Sequence, residues 1–265
     1  MKGILSQALS YAVEPLGLLQ HSPMVYVKLP SPRAKFKVET RSNEHIYIKK
    51  EQVQQIFARF PETTSTPIPM MFAYHCGARP SECFAFMWED IDLNNAKLSI
   101  NRQVQWDETE KSWYFTDPKY DSFSTIEIDN DLVELLKREK ERQQHFILSY
   151  GNFYKRLYVN DKRQINSNVE GKEIHLVCVR PNGEFIIPRT MQHTSRIIHY
   201  KMNMSDFDMH SLRVTHATML AESGAPPKYI QKILGHKNIQ VTLQIYTKLT
   251  DSISSQGKAV LDTLF

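Results

Sequence analysis

The sequence predicts an α+β fold, mostly helical, with a small three-stranded antiparallel sheet at one edge. Three observations carry that prediction. Apolar residues recur at helical spacing in several segments, as in Glu51–Phe60 (Val53, Ile56, Phe57, Phe60) and Asp131–Phe146 (Leu132, Leu135, Leu136). Helix punctuation is frequent: Gly77 follows one apolar segment, Pro226 and Pro227 precede another, and Gly235 closes it. Lys97–Gln105, Ser112–Thr116 and Phe123–Ile128 alternate enough to read as strands, the first two joined by the acidic turn Asp107-Glu108-Thr109-Glu110.

The chain has 265 residues, enough for one large domain or two small ones with a substantial core. Its 33 Lys and Arg against 29 Asp and Glu leave a formal charge of +4. That balance permits nucleic-acid binding without demonstrating it. The three cysteines, Cys76, Cys83 and Cys178, show neither metal spacing nor an even disulfide set, which reads as reduced thiols in an intracellular setting. No apolar run approaches the roughly 20 residues of a membrane span, no signal peptide is visible, and a soluble, cytoplasmic protein is expected.

In chain order, residues 1 to 20 read as a helix with Ile4, Leu5, Ala8, Leu9 and Ala12 on one face. Pro23, Pro30 and Pro32 mark an extended segment. The stretch Arg33 to Lys50 that follows is basic and reads as an interdomain linker, either a solvated connector or a contact to a DNA backbone. The apolar segment Ile68–Cys76 ends at Gly77, and a new helix opens at Pro80. Arg79 therefore sits at a helix N-terminus, where backbone N–H groups and a guanidinium fork could jointly hold an anion; a surface arginine fits the same pattern. Lys119 falls on the turn between the second and third strands, a place where lysines are usually just solvated. Residues 150 to 171 are polar and poorly patterned, Ile174–Val179 and Glu184–Ile187 suggest a hairpin about Pro181-Asn182-Gly183, and Thr190–Met202 reads as a helix.

The next stretch carries the most chemistry. A helix opens at Asp208, a good N-cap, and runs to about Glu222. His210 and Arg213 are three apart and share a face, whereas Leu212, His216, Met219 and Leu220 read as the core side. After the short helix that Gly235 ends, His236 emerges on a turn. Tyr246 lies ten residues on, aligned with Ile239 and Leu243 on a helix starting near Asn238, and on spacing alone it reads as a core tyrosine. His210 and His216 are six apart, which does not give the paired face of a zinc helix, so no metal site is expected.

The string His210-Ser211-Leu212-Arg213, followed by LGHKNIQVTLQIYTK from Leu234 to Lys248, resembles the C-terminal half of a tyrosine recombinase catalytic domain of the phage-integrase family. Gly77-Ala78-Arg79-Pro80-Ser81-Glu82 resembles that family's string for its first phosphate-binding arginine, with Ser81 at a place where glycine is common and Glu82 in a structural role. Pro118-Lys119 before Thr125-Ile126 resembles the β-turn of its catalytic lysine, with a slightly shorter loop and Ser124 in place of a frequent arginine. By this resemblance, residues 1–32 are the last helix and exit of a core-binding domain, 33–50 the basic linker and 51–265 the catalytic domain, most of the core-binding domain being missing.

The resemblance implies integrases of temperate phages and conjugative transposons, and a catalytic set of Arg79, Lys119, His210, Arg213, His236 and Tyr246. Tyr246 would attack a DNA phosphate, its phenol, which ionises near pH 10, being helped by cationic neighbours. Two permanently charged guanidinium groups would hold the non-bridging oxygens, so neither a cofactor nor a metal is called for. Implied partners are double-stranded DNA attachment sites, a homo-tetramer in synapsis, and accessory DNA-bending or directionality proteins, in a bacterial, nucleoid-associated setting; the apolar tail Asp251–Phe265 would dock on a neighbouring subunit, as such tails do in the family, or pack equally well on its own core. A type IB topoisomerase-like enzyme would share the six residues, and a truncated fragment would bind DNA with little recombination.

Overall fold

The computed structural model describes residues 2–26, 46–61 and 64–247. Most of the basic stretch 33–50 and the whole tail Asp251–Phe265 lie outside the described residues. The chain divides into two units, Met1–Glu44 and His45–Phe265. In the first, α1 (Lys2–Val13) is followed by a 3-10 turn at Pro23–Tyr26, and Leu5, Tyr11 and Leu18 are exposed.

The second unit begins with α2 (Lys50–Arg59), whose Val53 and Ile56 are buried as the periodicity requires. Just ahead of it Ile48 is already buried, and its N–H donates to the Thr215 hydroxyl at 2.9 Å. α3 (Pro67–Cys76) is apolar on all sides and correspondingly central, burying eight of its ten residues. Gly77 ends it with φ 61°, a conformation in which a side chain is strained and its neighbours would have to shift. A Cβ there would lie 2.6 Å from Leu234 Cδ2 and 2.8 Å from His216 Cδ2. The one-turn α4 (Pro80–Cys83) follows, with Arg79 as its N-cap.

The fold is α+β as expected, but the strands are arranged in more than one sheet. β1 (Ile91–Asp92), β2 (Lys97–Ile100) and β5 (Ser124–Glu127) form an antiparallel sheet in the order β1-β2-β5, while β3 (Gln103–Asp107) and β4 (Ser112–Thr116) form a separate hairpin. The run Lys97–Gln105 is thus two strands rather than one. The break falls at Asn101 and Arg102, both drawn to the buried carboxylate of Asp90: Asn101 donates to it at 3.1 Å and Arg102 pairs with it. A buried acceptor outcompetes two rungs of ladder there.

α5 (Asn130–Tyr150) is capped by Asp129, whose carboxylate accepts from the Leu132 N–H at 2.9 Å. The polar stretch after it, unpatterned in sequence, contains another three-stranded sheet: β6 (Leu157–Val159) between β7 (Ile165–Asn166) and β8 (Lys172–Ile174). Strands of two or three residues are too short to show alternation. The hairpin expected about Gly183 shrinks to one bridge, Val179 to Phe185.

α6 (Thr190–Lys201) leads to α7 (Met209–Glu222), opened by an Asp208 cap on the Ser211 N–H at 2.7 Å. α7 packs on α3 and buries more of its circumference than its apolar stripe suggested: Ser211, Arg213, Thr215, Ala217 and Ala221 are buried with Leu212, whereas Met219 and Leu220 are half-buried. Pro227 starts α8 (Pro227–Leu234) and Gly235, at φ 60°, ends it; α9 (Ile239–Thr247) follows. The main core lies among α2, α3, α5, α6, α7 and the first sheet, around Phe72, Phe84, Leu98, Leu136, Ile198 and Leu212. A smaller cluster joins α7 to α8 at Ala217, Ala221, Ile230 and Leu234. Among the described helices none is long and apolar enough to cross a membrane.

Candidate functional site

Two arginines far apart in sequence are held by one short helix end. Arg213, in the first turns of α7, is 4% exposed; its Nη1 donates to the Gly77 carbonyl and its Nη2 to the Leu234 carbonyl, both at 2.6 Å. Arg79 donates from Nη2 to the next carbonyl along, that of Gly235, at 2.9 Å. The carbonyls at the C-terminus of α8 carry the negative end of its dipole, so this is a natural seat for guanidinium groups. Gly235 can present its carbonyl this way because it occupies the left-handed region.

The two charges are close enough to oppose one another. Burial first, and the Arg79 charge second, bring the Arg213 pKa down to about 10. Glu82 offsets them in part: its carboxylate, 1% exposed, accepts from Arg79 Nη1 and from the Arg79 backbone N–H, each at 2.7 Å. A buried site with an excess of positive charge, at the N-termini of α4 and α7, is built to hold an anion.

His236 stands next to this pair. Burial, then the charges of Arg213, Arg79 and His210, lower its pKa to about 4, so its imidazole is neutral at physiological pH. Its Nδ1 lies 2.9 Å from the hydroxyl of Thr242, a buried polar residue on α9. His210, on the first turn of α7, is half-buried and near enough for its charge to bear on His236. The structure therefore brings Arg79, Arg213, His210 and His236 together.

Lys119 approaches from the turn between β4 and β5. The residue is exposed, with its ammonium 5.0 Å from the centre of the Tyr120 ring. Its turn is nonetheless joined to the arginines, since Ser122 accepts from Arg79 Nη1 at 3.0 Å and donates to the Lys119 carbonyl at 2.9 Å.

Tyr246 is not part of the charged group. Its hydroxyl donates to the Ala225 carbonyl in the loop between α7 and α8, and its ring packs on the small cluster of Ala217, Ala221, Ile230 and Leu234. Burial raises its pKa, so the expectation of a phenol acidified by cations is not met in this arrangement. The apolar alignment with Ile239 and Leu243 had pointed to such packing. His216 is likewise a packing residue: its Nδ1–H donates to the Tyr74 carbonyl at 2.9 Å, and burial lowers its pKa to about 4.

Two participants were not identified from the sequence. Nothing about Ser122 separates it from any other turn serine. Thr242 could have been found as a hydroxyl on the inward side of an apolar helix, six residues after His236.

Comparison with known proteins gives this geometry a context. The profile of the phage integrase family matches residues 47–252. A XerC-like tyrosine recombinase of Caldanaerobacter subterraneus is 27% identical over 280 residues, covering 100% of this chain and 65% of the relative. The transposase of transposon Tn916 from Enterococcus faecalis is 28% identical over 69% of this chain and 42% of its own length, and the ICEBs1 integrase of Bacillus subtilis 24% over 72% and 47%. The chain thus spans between about two fifths and two thirds of these relatives. Among solved structures, the Tn1549 transposon integrase in complex with transposon right end DNA superposes with a TM-score of 0.63 at 18% identity, over 92% of this chain and 72% of that one. The XerA recombinase does so at 0.55 and 16%, over 81% and 64%. At such identities the likeness shows the fold.

Proposed function

This chain belongs to the phage integrase family, and we propose that it is a site-specific DNA recombinase, cutting and rejoining strands through a 3′-phosphotyrosine on Tyr246. The observation that carries the reading is the pair of converging guanidinium groups of Arg79 and Arg213, held by consecutive carbonyls at the end of α8 and only partly neutralised by Glu82. A phosphodiester with two non-bridging oxygens matches that charge and its paired donors.

In the reaction, the Tyr246 oxygen forms a bond to phosphorus as the bond to the 5′ oxygen breaks. Arg79 and Arg213 take the charge that builds on the non-bridging oxygens and stay protonated throughout. His236, neutral, donates a hydrogen bond to the phosphate or relays the phenol proton, and His210 stands beside it for the same work. Lys119 gives its proton to the departing 5′ oxygen, an otherwise poor leaving group. The phosphotyrosine keeps the bond energy, so a 5′-hydroxyl of another strand can reverse the step without ATP. Tyr246 must leave the Ala225 carbonyl to reach the arginines, and DNA binding supplies the occasion.

The wider reading follows from the family. The substrates are double-stranded attachment sites of a mobile element, and strand exchange takes place in a homo-tetramer in synapsis, helped by accessory DNA-bending or directionality proteins in the bacterial cytoplasm. Residues 1–32 are the end of a core-binding domain, 33–50 a basic linker, and 51–265 the catalytic domain.

A second reading is favoured by one observation: the tyrosine hydroxyl is bonded away from the charged group. On that reading the chain holds DNA without cutting it. Incubation with a nicked duplex bearing the element's end sequence, then a denaturing gel, separates the two. Recombinase chemistry gives a protein–DNA adduct that Tyr246→Phe abolishes. A salt-sensitive gel shift with no adduct supports the binding chain instead.

A further inference from the structure

We propose that Ser122 is a positioning residue, which fixes the Lys119 turn to the Arg79 guanidinium so that the general acid and the phosphate-holding arginine move as one unit. The inference rests on the recombinase reading given above and deepens it.

The turn from Pro118 to Ser122 is not one the chain would hold unaided. Tyr120 has φ 64° and Asp121 φ 52°, two successive side-chain-bearing residues in the left-handed region, and a bulky aromatic is rare there. Backbone strain of this kind persists only where surrounding contacts enforce it. Two contacts close the turn on itself: the Asp121 N–H donates to the Pro118 carbonyl at 3.0 Å, and the Ser122 hydroxyl donates to the Lys119 carbonyl at 2.9 Å. The same hydroxyl accepts from Arg79 Nη1 at 3.0 Å. One proton-donating and one proton-accepting bond use the two capacities of a serine hydroxyl directionally, with Arg79 as donor and the Lys119 carbonyl as acceptor.

The tie is reinforced on its other side. Gly235, whose carbonyl holds Arg79, comes so near that a Cβ on it would lie 3.1 Å from Ser122 Cβ. Arg79, Ser122 and Gly235 thus form a three-way contact among the α4 N-terminus, the lysine turn and the α8 C-terminus. In the cleavage step the proton passes from the Lys119 ammonium to the 5′ oxygen as the phosphorus–oxygen bond breaks. The donor has to sit within hydrogen-bond reach of that oxygen, and a displacement of about 1 Å is enough to cost roughly a hundredfold in rate. Ser122 touches no reacting atom in this scheme; it acts through the backbone of Lys119.

The test uses the chemistry of the leaving group. A thiol ionises near pH 8.5, so a 5′-thiolate departs without a donated proton. Single-turnover cleavage is measured with the wild type, Ser122→Ala, Ser122→Thr and Lys119→Ala. Each acts on the ordinary nicked duplex and on one with sulphur replacing the bridging 5′ oxygen at the scissile phosphate. Expected results are a loss of about 10- to 100-fold for Ser122→Ala on the oxygen substrate, recovery to near wild-type rate on the sulphur substrate, and near wild-type rates for Ser122→Thr, which keeps the hydroxyl. Equal losses on both substrates would overturn the proposal, because they would place the defect in phosphate binding or folding, and so would an undiminished rate on oxygen.

The reading beneath it fails differently. A wild type that forms no adduct on either DNA contradicts the recombinase assignment, and a Lys119→Ala enzyme that sulphur does not restore contradicts the role of Lys119. In either event hydrogen exchange on the protein without DNA still decides the tether. Amides 119–123 should exchange at least severalfold faster in Ser122→Ala and in Arg79→Ala than in wild type and Ser122→Thr. Unchanged exchange would refute it.

Discussion

Replacing Arg213 by methionine should separate stability from function. Two effects on folding oppose each other. The Gly77 and Leu234 carbonyls lose their donors, and buried acceptors left unmatched cost about 1–3 kcal/mol each, towards the lower end for a carbonyl with other lone-pair options. Against that stands the relief of a buried guanidinium beside a second one. Burial and the Arg79 charge bring its pKa down to about 10, so the folded state disfavours the charge at neutral pH by about 3 kcal/mol. Methionine retains most of the aliphatic volume.

The terms nearly cancel, and the variant should unfold within about 2 kcal/mol of wild type, a shift in Tm of under about 8 °C for a unit of this size. Adduct formation should fall by about a hundredfold or more, as on loss of a donor to a developing oxyanion. Thermal unfolding by circular dichroism and the denaturing gel give both numbers on one preparation. A fall in Tm beyond about 10 °C, with no loss in adduct per folded molecule, would refute the reasoning and make Arg213 a structural strut.

Three further outcomes are expected. His216 is held neutral in the folded state with a pKa of about 4, while the unfolded chain takes up a proton below about 6.5; stability should therefore be lost as pH falls from 6.5 towards 4, by about 3 kcal/mol, and urea unfolding of His216→Gln should show a flatter dependence over that window. Gly235→Ala places a side chain at φ 60° and a Cβ 3.1 Å from Ser122, so a loss of about 1–2 kcal/mol in denaturant unfolding should accompany slowed adduct formation. Asp129→Ala removes the cap of α5 and the 2.8 Å partner of His75, at a cost of about 1 kcal/mol in the same assay with unaltered cleavage.

Legibility differed from element to element for physical reasons. α5 and α8 could be read because their signals are local: an Asp129 cap and leucine periodicity in one, Pro227 and Gly235 at either end of the other. The strand break at Asn101 could not, because its cause is a carboxylate eleven residues away in sequence that becomes an acceptor only once buried. β6, β7 and β8 are too short to show a period and lie in a polar stretch. α7 misled in another way, since a helix at the centre of a domain buries serine, threonine and arginine beside leucine when each finds a partner, as Thr215 does with the Ile48 N–H. In the site, the spacing of His210 and Arg213 on one face was visible, while the meeting of Arg213 with Arg79 depends on Gly77 and on the end of α8, contacts of long sequence separation. Tyr246 carried two signals at once: its apolar alignment pointed to its packing and the surrounding string to its chemistry.

The central claim is that the Tyr246 oxygen becomes bonded to DNA phosphorus, and mass spectrometry of the trapped adduct tests it most directly. After nuclease and trypsin digestion, the peptide Asn238–Lys248 should carry a nucleotide remnant on Tyr246. The same remnant on any other residue, or an adduct undiminished in Tyr246→Phe, would contradict the account.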